Sequence, residues 1–141
     1  MTEPRFLLDT NVVSELARPR PDARVSTFIA GAPRFAVSVM LFHELRYGCE
    51  VLSDLAQQAR LTRFVAEVRG RFGPEALPVT SEVAEVAARL RAHAKQQGRV
   101  LTVADALIGA TAVSHGLTLA TRNERDFVDL GVHVLNPFEA A

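Results

Sequence analysis

The chain has 141 residues, 48% of them hydrophobic and 23% charged, which is enough for one domain with its own core and excludes a disordered composition. Its 16 basic and 16 acidic residues cancel, so net charge gives no support for nucleic-acid binding by charge alone. The single cysteine, Cys49, excludes an internal disulfide, and the sequence has neither a signal-peptide pattern nor a membrane-spanning apolar run. We therefore expect one cytoplasmic domain, residues 1–141, without membrane contact.

The first half of the chain alternates short apolar runs with helical patterns. Residues that favour helix caps and breaks, such as Asp9 before one helix and Gly31 and Pro33 after the next, mark the boundaries. The predicted elements are strands at 6–8, 35–39 and 77–79 and helices at 12–17, 22–29, 40–52 and 57–71.

The second half continues the same alternation. Helices are predicted at 81–97 and 103–114, strands at 117–120 and 132–135, and a short helix at 124–130. Gly98 and Gly116 are expected to end the two long helices. The strands are apolar throughout rather than alternating, which is typical of a parallel sheet covered on both faces. The sequence therefore predicts an α/β fold with a mainly parallel sheet of about five strands.

Three acidic residues follow predicted strands closely, and a fourth, Asp105, follows the short apolar pair Val100–Leu101. Asp9 comes directly after the first strand, and Glu44 lies about one turn into the helix after the second. Asp105 lies in the first turn of the helix at 103–114, and Asp126 comes shortly after the strand at 117–120. Right-handed crossovers keep strand-to-helix turns on one edge of a parallel sheet, so we expect these carboxylates to converge there. Glu82 also follows a strand, but the helix dipole explains an acid at that helix start.

Each acid has a structural explanation as well. Asp9 is a residue type that caps helices, and Thr102 with Asp105 matches a capping box. Asp126 lies in a charged run that is typical of a surface, whereas Glu44 lies in a mostly apolar stretch and is the hardest to explain structurally.

Clustering these carboxylates would be costly without a cation. Two like charges 4–5 Å apart repel by roughly 3–4 kcal/mol at an effective dielectric near 20. A divalent cation relieves that repulsion, and a site of oxygen ligands favours Mg²⁺, with Mn²⁺ as a substitute, over Zn²⁺. The histidines form no ligand pair, and we expect surface or satisfied core positions for His43, His93, His115 and His133.

Four segments carry a family resemblance: residues 8–15 (LDTNVVSE), 44–48 (ELRYG), 102–108 (TVADALI) and 119–123 (LATRN), with Asp126 and Phe127 close behind. Their order and spacing closely resemble PIN-domain toxins of type II toxin–antitoxin systems, the VapC family and especially its FitB-like members. The ending at 136–138 (NPF) is similar to that subgroup too. The resemblance spans nearly the whole chain.

The resemblance implies an α/β/α sandwich and a Mg²⁺-dependent endoribonuclease that acts on RNA. It also implies a homodimer and a cognate antitoxin whose tail enters the active site, with DNA contact only through the antitoxin. The matching acidic core is Asp9, Glu44 and Asp105. Some relatives have an acid where this chain has Asn123, so the fourth position is open between Asn123 and Asp126, and so is a second metal ion.

The roles we assign follow metal-assisted hydrolysis. Asp9 and Asp105 would hold Mg²⁺, while Glu44 would position or deprotonate the attacking water. Neighbouring side chains that can orient the carboxylates are Thr10, Asn11, Thr102 and Thr121. Arg46 and Arg122 are candidates for contact with RNA phosphates, or for an ordinary surface role.

Three other enzyme classes fit less well. A haloacid-dehalogenase-like phosphatase needs a second aspartate where this chain has Asn11, and a phosphoacceptor receiver needs a lysine after a late strand, whereas Lys95 lies within a helix. No glycine-rich nucleotide-binding pattern is present in the sequence. The alternative from another class is a catalytically silent PIN scaffold that binds an antitoxin or RNA.

Overall fold

The computed structural model describes residues 4–31 and 34–139, so Pro33 lies outside the described residues. Its strands are β1 (Phe6–Leu8), β2 (Phe35–Ala36), β3 (Thr118–Ala120) and β4 (Val134–Leu135). Its α-helices are α1 (Thr10–Glu15), α2 (Ala23–Gly31), α3 (Met40–Glu50), α4 (Leu55–Phe72), α5 (Ser81–Gln96) and α6 (Val103–Ser114). Two 3₁₀ helices cover Gly73–Glu75 and Glu124–Phe127.

The strands form one parallel sheet in the order β2-β1-β3-β4. The predicted α/β class and parallel sheet are confirmed. The expected strand at 77–79 is reduced to a single bridge, in which Leu77 donates to Val37 O at 2.8 Å and accepts from Val39 at 3.0 Å. Pro78 has no N–H to donate, so the ladder does not continue. The described residues therefore contain four strands rather than five.

Some predicted boundaries moved. The strand expected at 35–39 contains only Phe35–Ala36, and the helix expected at 124–130 is the 3₁₀ helix Glu124–Phe127. That helix stops at Phe127 because Val128 already has extended backbone angles, and Asp129 and Gly131 beyond it are left-handed, with φ of 59° and 76°. By contrast, β1 and α6 have the predicted bounds.

Helices cover both faces of the sheet. Successive side chains of a strand point to opposite faces, so Leu7 packs in a core with Leu90 of α5 and Ile108 of α6. Leu8 packs on the other side in a second core with Leu41 of α3 and helix α4. Within the described residues, no helix is both long and apolar enough to cross a membrane.

The 3₁₀ helix Glu124–Phe127 is held against α6. Phe127 is buried, and a Cβ added to Gly109 would lie 2.8 Å from its ring, so the close approach requires glycine. Gly109 lies four residues after Asp105, on the same face of α6. The Arg99 guanidinium also donates to the carbonyl of Asp126 at 3.2 Å. These contacts fix the Asp126 segment against the helix that carries Asp105.

Candidate metal centre

Asp9 is the buried centre of the candidate site. Its N–H donates to Ala120 O at 3.0 Å, extending the pairing of β1 with β3, and its side chain is only 3% exposed. Asp9 is also the N-cap of α1, where its Oδ1 accepts from the Thr10 N–H at 2.7 Å. The capping interpretation therefore holds. Because a capping oxygen leaves the second carboxylate oxygen available, capping does not exclude a functional role.

The second oxygen of Asp9 is held by the loop that follows β3. Oδ2 accepts from the Thr121 hydroxyl at 2.7 Å and from Asn11 Nδ2 at 3.3 Å. The Thr121 hydroxyl in turn accepts from the Asn123 N–H at 3.0 Å, and Asn11 Oδ1 accepts from the Arg122 N–H at 3.0 Å. Thr121 is fully buried. This network fixes the orientation of Asp9 relative to the ends of β1 and β3.

The other acids come from separate elements. Glu44 lies early in α3 and Asp105 in the first turn of α6, both partly buried. The Thr102 hydroxyl accepts from the Asp105 N–H at 3.1 Å, which is one of the two bonds of the predicted capping box. Asp126 lies in the 3₁₀ helix and is also partly buried.

Burial and mutual repulsion raise the pKa values of three of these carboxyls. The pKa of Asp9 rises to about 6, mainly through burial and further through the charges of Asp105 and Glu44, while hydrogen bonds from Thr121 and Thr10 oppose the rise. The pKa of Glu44 rises through burial and then through the charge of Asp105, with His43 opposing.

Asp105 links the remaining acid to this group. Burial raises its pKa, a hydrogen bond with Thr102 opposes the rise, and the charge of Asp126 adds to it. Four carboxylates from distant segments therefore interact electrostatically at the carboxyl edge of the sheet.

The donor chemistry of this group fits a hard divalent cation. All four side chains offer carboxylate oxygens, and their mutual repulsion favours a positive ion among them. Across residues 4–31 and 34–139, no three or more His, Cys, Asp or Glu side chains lie close enough to enclose an ion together. Mg²⁺ commonly binds through one or two carboxylates and keeps several waters, so the residues suit an ion held partly through water.

The remaining candidates have varied positions. Asn123 is exposed, and the contact it makes with the network is through its backbone N–H. Thr10 orients Asp9 through its N–H, and its hydroxyl is buried with no hydrogen-bond partner in the described part of the chain. Glu82 is exposed at the start of α5, as expected for an acid in a first helical turn. All four histidines are exposed, as expected for surface positions.

Sequence reasoning missed Arg99. Besides Asp126, its guanidinium donates to the carbonyls of Arg125, at 2.8 Å, and Val128. It thereby satisfies carbonyls at the end of the 3₁₀ helix that carries Asp126. A lone arginine after Gly98 gives no sequence signal for this contact, which joins positions 26 to 29 residues apart.

The chain as a whole also matches a known protein family. The sequence profile of the PIN domain matches residues 6–132. This chain belongs to the PIN-domain family. The predicted family resemblance is therefore confirmed.

This PIN domain is 36% identical over 136 residues to the toxin FitB of Neisseria gonorrhoeae, with 94% of this chain and 98% of FitB covered. It is also 36% identical over 142 residues to the VapC ribonuclease Y4jK of Sinorhizobium fredii, with 96% and 99% covered. Its fold matches a chain of the crystal structure of FitAcB from Neisseria gonorrhoeae with a TM-score of 0.85 and 34% identity, covering 96% and 99% of the two chains.

Thr121→Val should raise the pKa of Asp9 further above 6 in this PIN domain, because it removes a hydrogen bond that stabilises the charged carboxylate. At pH 7 it should also destabilise the metal-free protein by about 1.5–3 kcal/mol, the usual worth of a hydrogen bond to a charged group. An NMR titration of Asp9 and urea unfolding measure both effects.

Thr111→Val is the matched control. Thr111 is equally buried, but its hydroxyl donates to Leu107 O at 2.7 Å within α6. It should leave the Asp9 titration unchanged and cost less stability, since such bonds within a helix contribute little. An identical Asp9 pKa in Thr121→Val and wild type would contradict the network.

Proposed function

We propose that this PIN domain is a Mg²⁺-dependent endoribonuclease that hydrolyses RNA phosphodiester bonds as the toxin of a type II toxin–antitoxin pair. The observation that carries the proposal is the buried, hydrogen-bonded carboxylate of Asp9 with Glu44 and Asp105 near enough to raise its pKa, and with Asp126 acting on Asp105. A helix cap alone would not need the other three acids beside it.

The chain's own residues have distinct roles in the proposed reaction. Asp9 and Asp105 would hold the cation, and a bound Mg²⁺ would supply a lowered pKa for the attacking water and neutralisation of charge on the phosphate. Glu44 accepts the proton of the attacking water, and its raised pKa makes it a better base than an ordinary glutamate. The water oxygen would bond to phosphorus in line with the leaving oxygen, whose bond to phosphorus breaks and which takes up a proton from solvent. Asp126 or Asn123 supports the site.

Thr121 and Asn11 prepare the site before substrate arrives. Their hydrogen bonds fix Asp9 Oδ2, so a ligand oxygen is oriented without further ordering of the side chain. Thr102 orders the first turn of α6, which carries Asp105. Mn²⁺ offers similar oxygen chemistry and should substitute for Mg²⁺.

Relatives support the nuclease assignment. One is the VapC ribonuclease of Sinorhizobium fredii, and another, 27% identical over 129 residues, is the tRNA(fMet)-specific endonuclease VapC of Shigella flexneri. Solved relatives include FitAB bound to a DNA fragment, with a TM-score of 0.85 and 33% identity. By analogy we propose a cognate antitoxin as partner, DNA contact only through that antitoxin, a homodimer and a cytoplasmic location.

Metal dependence of RNA cleavage tests the proposal. The purified protein should cut single-stranded RNA with Mg²⁺, stop in EDTA and recover when Mg²⁺ is added in excess. Asp9→Asn protein, prepared in parallel, controls for contaminating nucleases. RNA binding without any metal-dependent cleavage would instead support the silent scaffold. Sequencing of RNA ends after brief expression would then identify the target.

A further inference from the structure

A cavity of about 590 Å³ adjoins the carboxylate site. It lies between the loop after β3 and the C-terminal segment, and its lining includes Arg122, Asn123, Asp126 and Asn136 together with Arg24 and Arg125. Asn123 and Arg122 both belong to the hydrogen-bond network around Asp9. The cavity is therefore a direct extension of the candidate active site.

Arg122 is fixed beside the network by both its backbone and its side chain. Its N–H donates to Asn11 Oδ1 at 3.0 Å, and Asn11 contacts Asp9. Its guanidinium carbon lies 4.0 Å from the centroid of the Phe138 ring. Phe138 is buried, and its N–H donates to Asn136 Oδ1 at 2.9 Å, so the ring is itself well held. The guanidinium is thereby preorganised at the cavity.

The donors of that guanidinium remain available to a ligand. Among residues 4–31 and 34–139, no carboxylate or carbonyl accepts a hydrogen bond from it, and its contact is with the face of a ring. Arg24, in the same cavity, has its Nη2 3.0 Å from Asp22 Oδ2. Arg46, the other arginine suggested by the sequence, lies 4.0 Å from Glu50 in an ion pair on α3.

We infer that Arg122, stacked on Phe138, binds a phosphate of the RNA strand next to the bond that is cut. The inference deepens the proposed nuclease function and rests on it. A guanidinium matches two oxygens of a phosphate, and stacking on an aromatic ring sets its plane without using its donors. The cavity lining contains three arginines and three acids, so its charge alone does not choose the anion. On the proposed function the RNA strand would pass the adjacent carboxylate site, which makes an RNA phosphate the anion within reach of Arg122.

RNA binding across a salt series tests this role. In an Asp9→Asn background, which should not cut, a labelled single-stranded RNA is titrated and followed by fluorescence anisotropy. Adding Arg122→Gln should weaken binding about tenfold and reduce the slope of log affinity against log salt by about 0.7, the loss of one phosphate contact on a single strand. Arg63→Gln, at an exposed position of α4 away from the cavity, controls for the change in net charge.

Two further variants separate position from charge. Phe138→Leu keeps the charge of Arg122 but removes the ring, so affinity should fall about threefold with the slope unchanged. Arg122→Lys keeps the charge and should keep the slope, while losing the planar fork. Urea unfolding of each variant identifies any loss of fold. If Arg122→Gln or Phe138→Leu proves to be unfolded, the salt slope of Arg122→Lys is compared with that of the Asp9→Asn parent, and an equal slope shows that the charge at position 122 sets it.

The outcomes distinguish this inference from the nuclease proposal. If wild type cleaves RNA but Arg122→Gln binds with the parent's affinity and slope, the phosphate site is wrong and the nuclease stands. If wild type does not cleave but Arg122→Gln shows the expected reduction in the salt slope, the phosphate site is supported and the nuclease proposal is wrong. Failure of the Asp9→Asn parent to bind RNA, or an effect of Arg122→Gln on acidic-peptide binding alone, would overturn the inference.

Discussion

Asp9→Asn is expected to lower single-turnover RNA cleavage at saturating Mg²⁺ by about 10³-fold or more, equivalent to roughly 4 kcal/mol of transition-state stabilisation. Asp9 is the most buried of the four acids, and hydrogen bonds reach both of its oxygens. Asparagine has nearly the same shape and caps a helix equally well. The substitution therefore removes the charge that would bind the cation and leaves the local fold in place.

Asp54→Asn is a close control for this change. Asp54 is the exposed N-cap of α4, where its Oδ1 accepts from the Gln57 N–H at 2.9 Å. The same substitution at this second helix cap should leave cleavage unchanged. Asp126→Asn should cost less than Asp9→Asn, about tenfold, because Asp126 acts on the site through Asp105. Equal cleavage by Asp9→Asn and wild type would eliminate the proposed site.

The stability of the metal-free protein is expected to fall as pH rises from about 4 to about 6. Asp9 has an ordinary pKa of 3.8 and a folded-state pKa of about 6, so the folded protein binds the proton more tightly than the unfolded chain. Its stabilising contribution is complete below about pH 3.8 and is lost as pH rises through 6. The loss amounts to roughly 3 kcal/mol as an upper value, and the raised pKa values of Glu44 and Asp105 act in the same direction.

Comparison with Asp9→Asn isolates this effect. Urea unfolding of both proteins in EDTA, from pH 4 to pH 8, should give similar stabilities at pH 4 and a more stable Asp9→Asn at pH 7. Added Mg²⁺ should stabilise wild type at pH 7 by mass action and leave Asp9→Asn unchanged. A stability difference that does not vary with pH would refute the raised pKa of Asp9. A clear loss of stability in metal-free Asp9→Asn at pH 7 would indicate that the charged carboxylate stabilises the fold, which also contradicts the raised pKa.

Local patterns predicted β1 and α6 with their observed bounds, and the physical reason is that both elements carry their own boundary signals. Thr102 caps α6 through its hydroxyl, and Gly116, with φ of 65°, follows its last turn. The prediction of a strand at 77–79 was wrong because the length of a strand depends on pairing with a neighbour, and Pro78 limits that pairing. The local sequence indicates which residues favour a strand, but the neighbouring strand determines how many of them form ladder hydrogen bonds.

The sequence by itself placed Asp9, Glu44 and Asp105 at one edge of a parallel sheet, because the handedness of crossovers leaves little choice of where such positions lie. Only the tertiary structure decided how they interact. The hydrogen bond from the Thr121 hydroxyl to Asp9 joins residues 112 positions apart, and no local sequence pattern predicts a contact at that separation. The charge of Asp126 acts on Asp105 because Phe127 packs on Gly109 and Arg99 holds the 3₁₀ helix, which are packing relations that exist only in the folded chain.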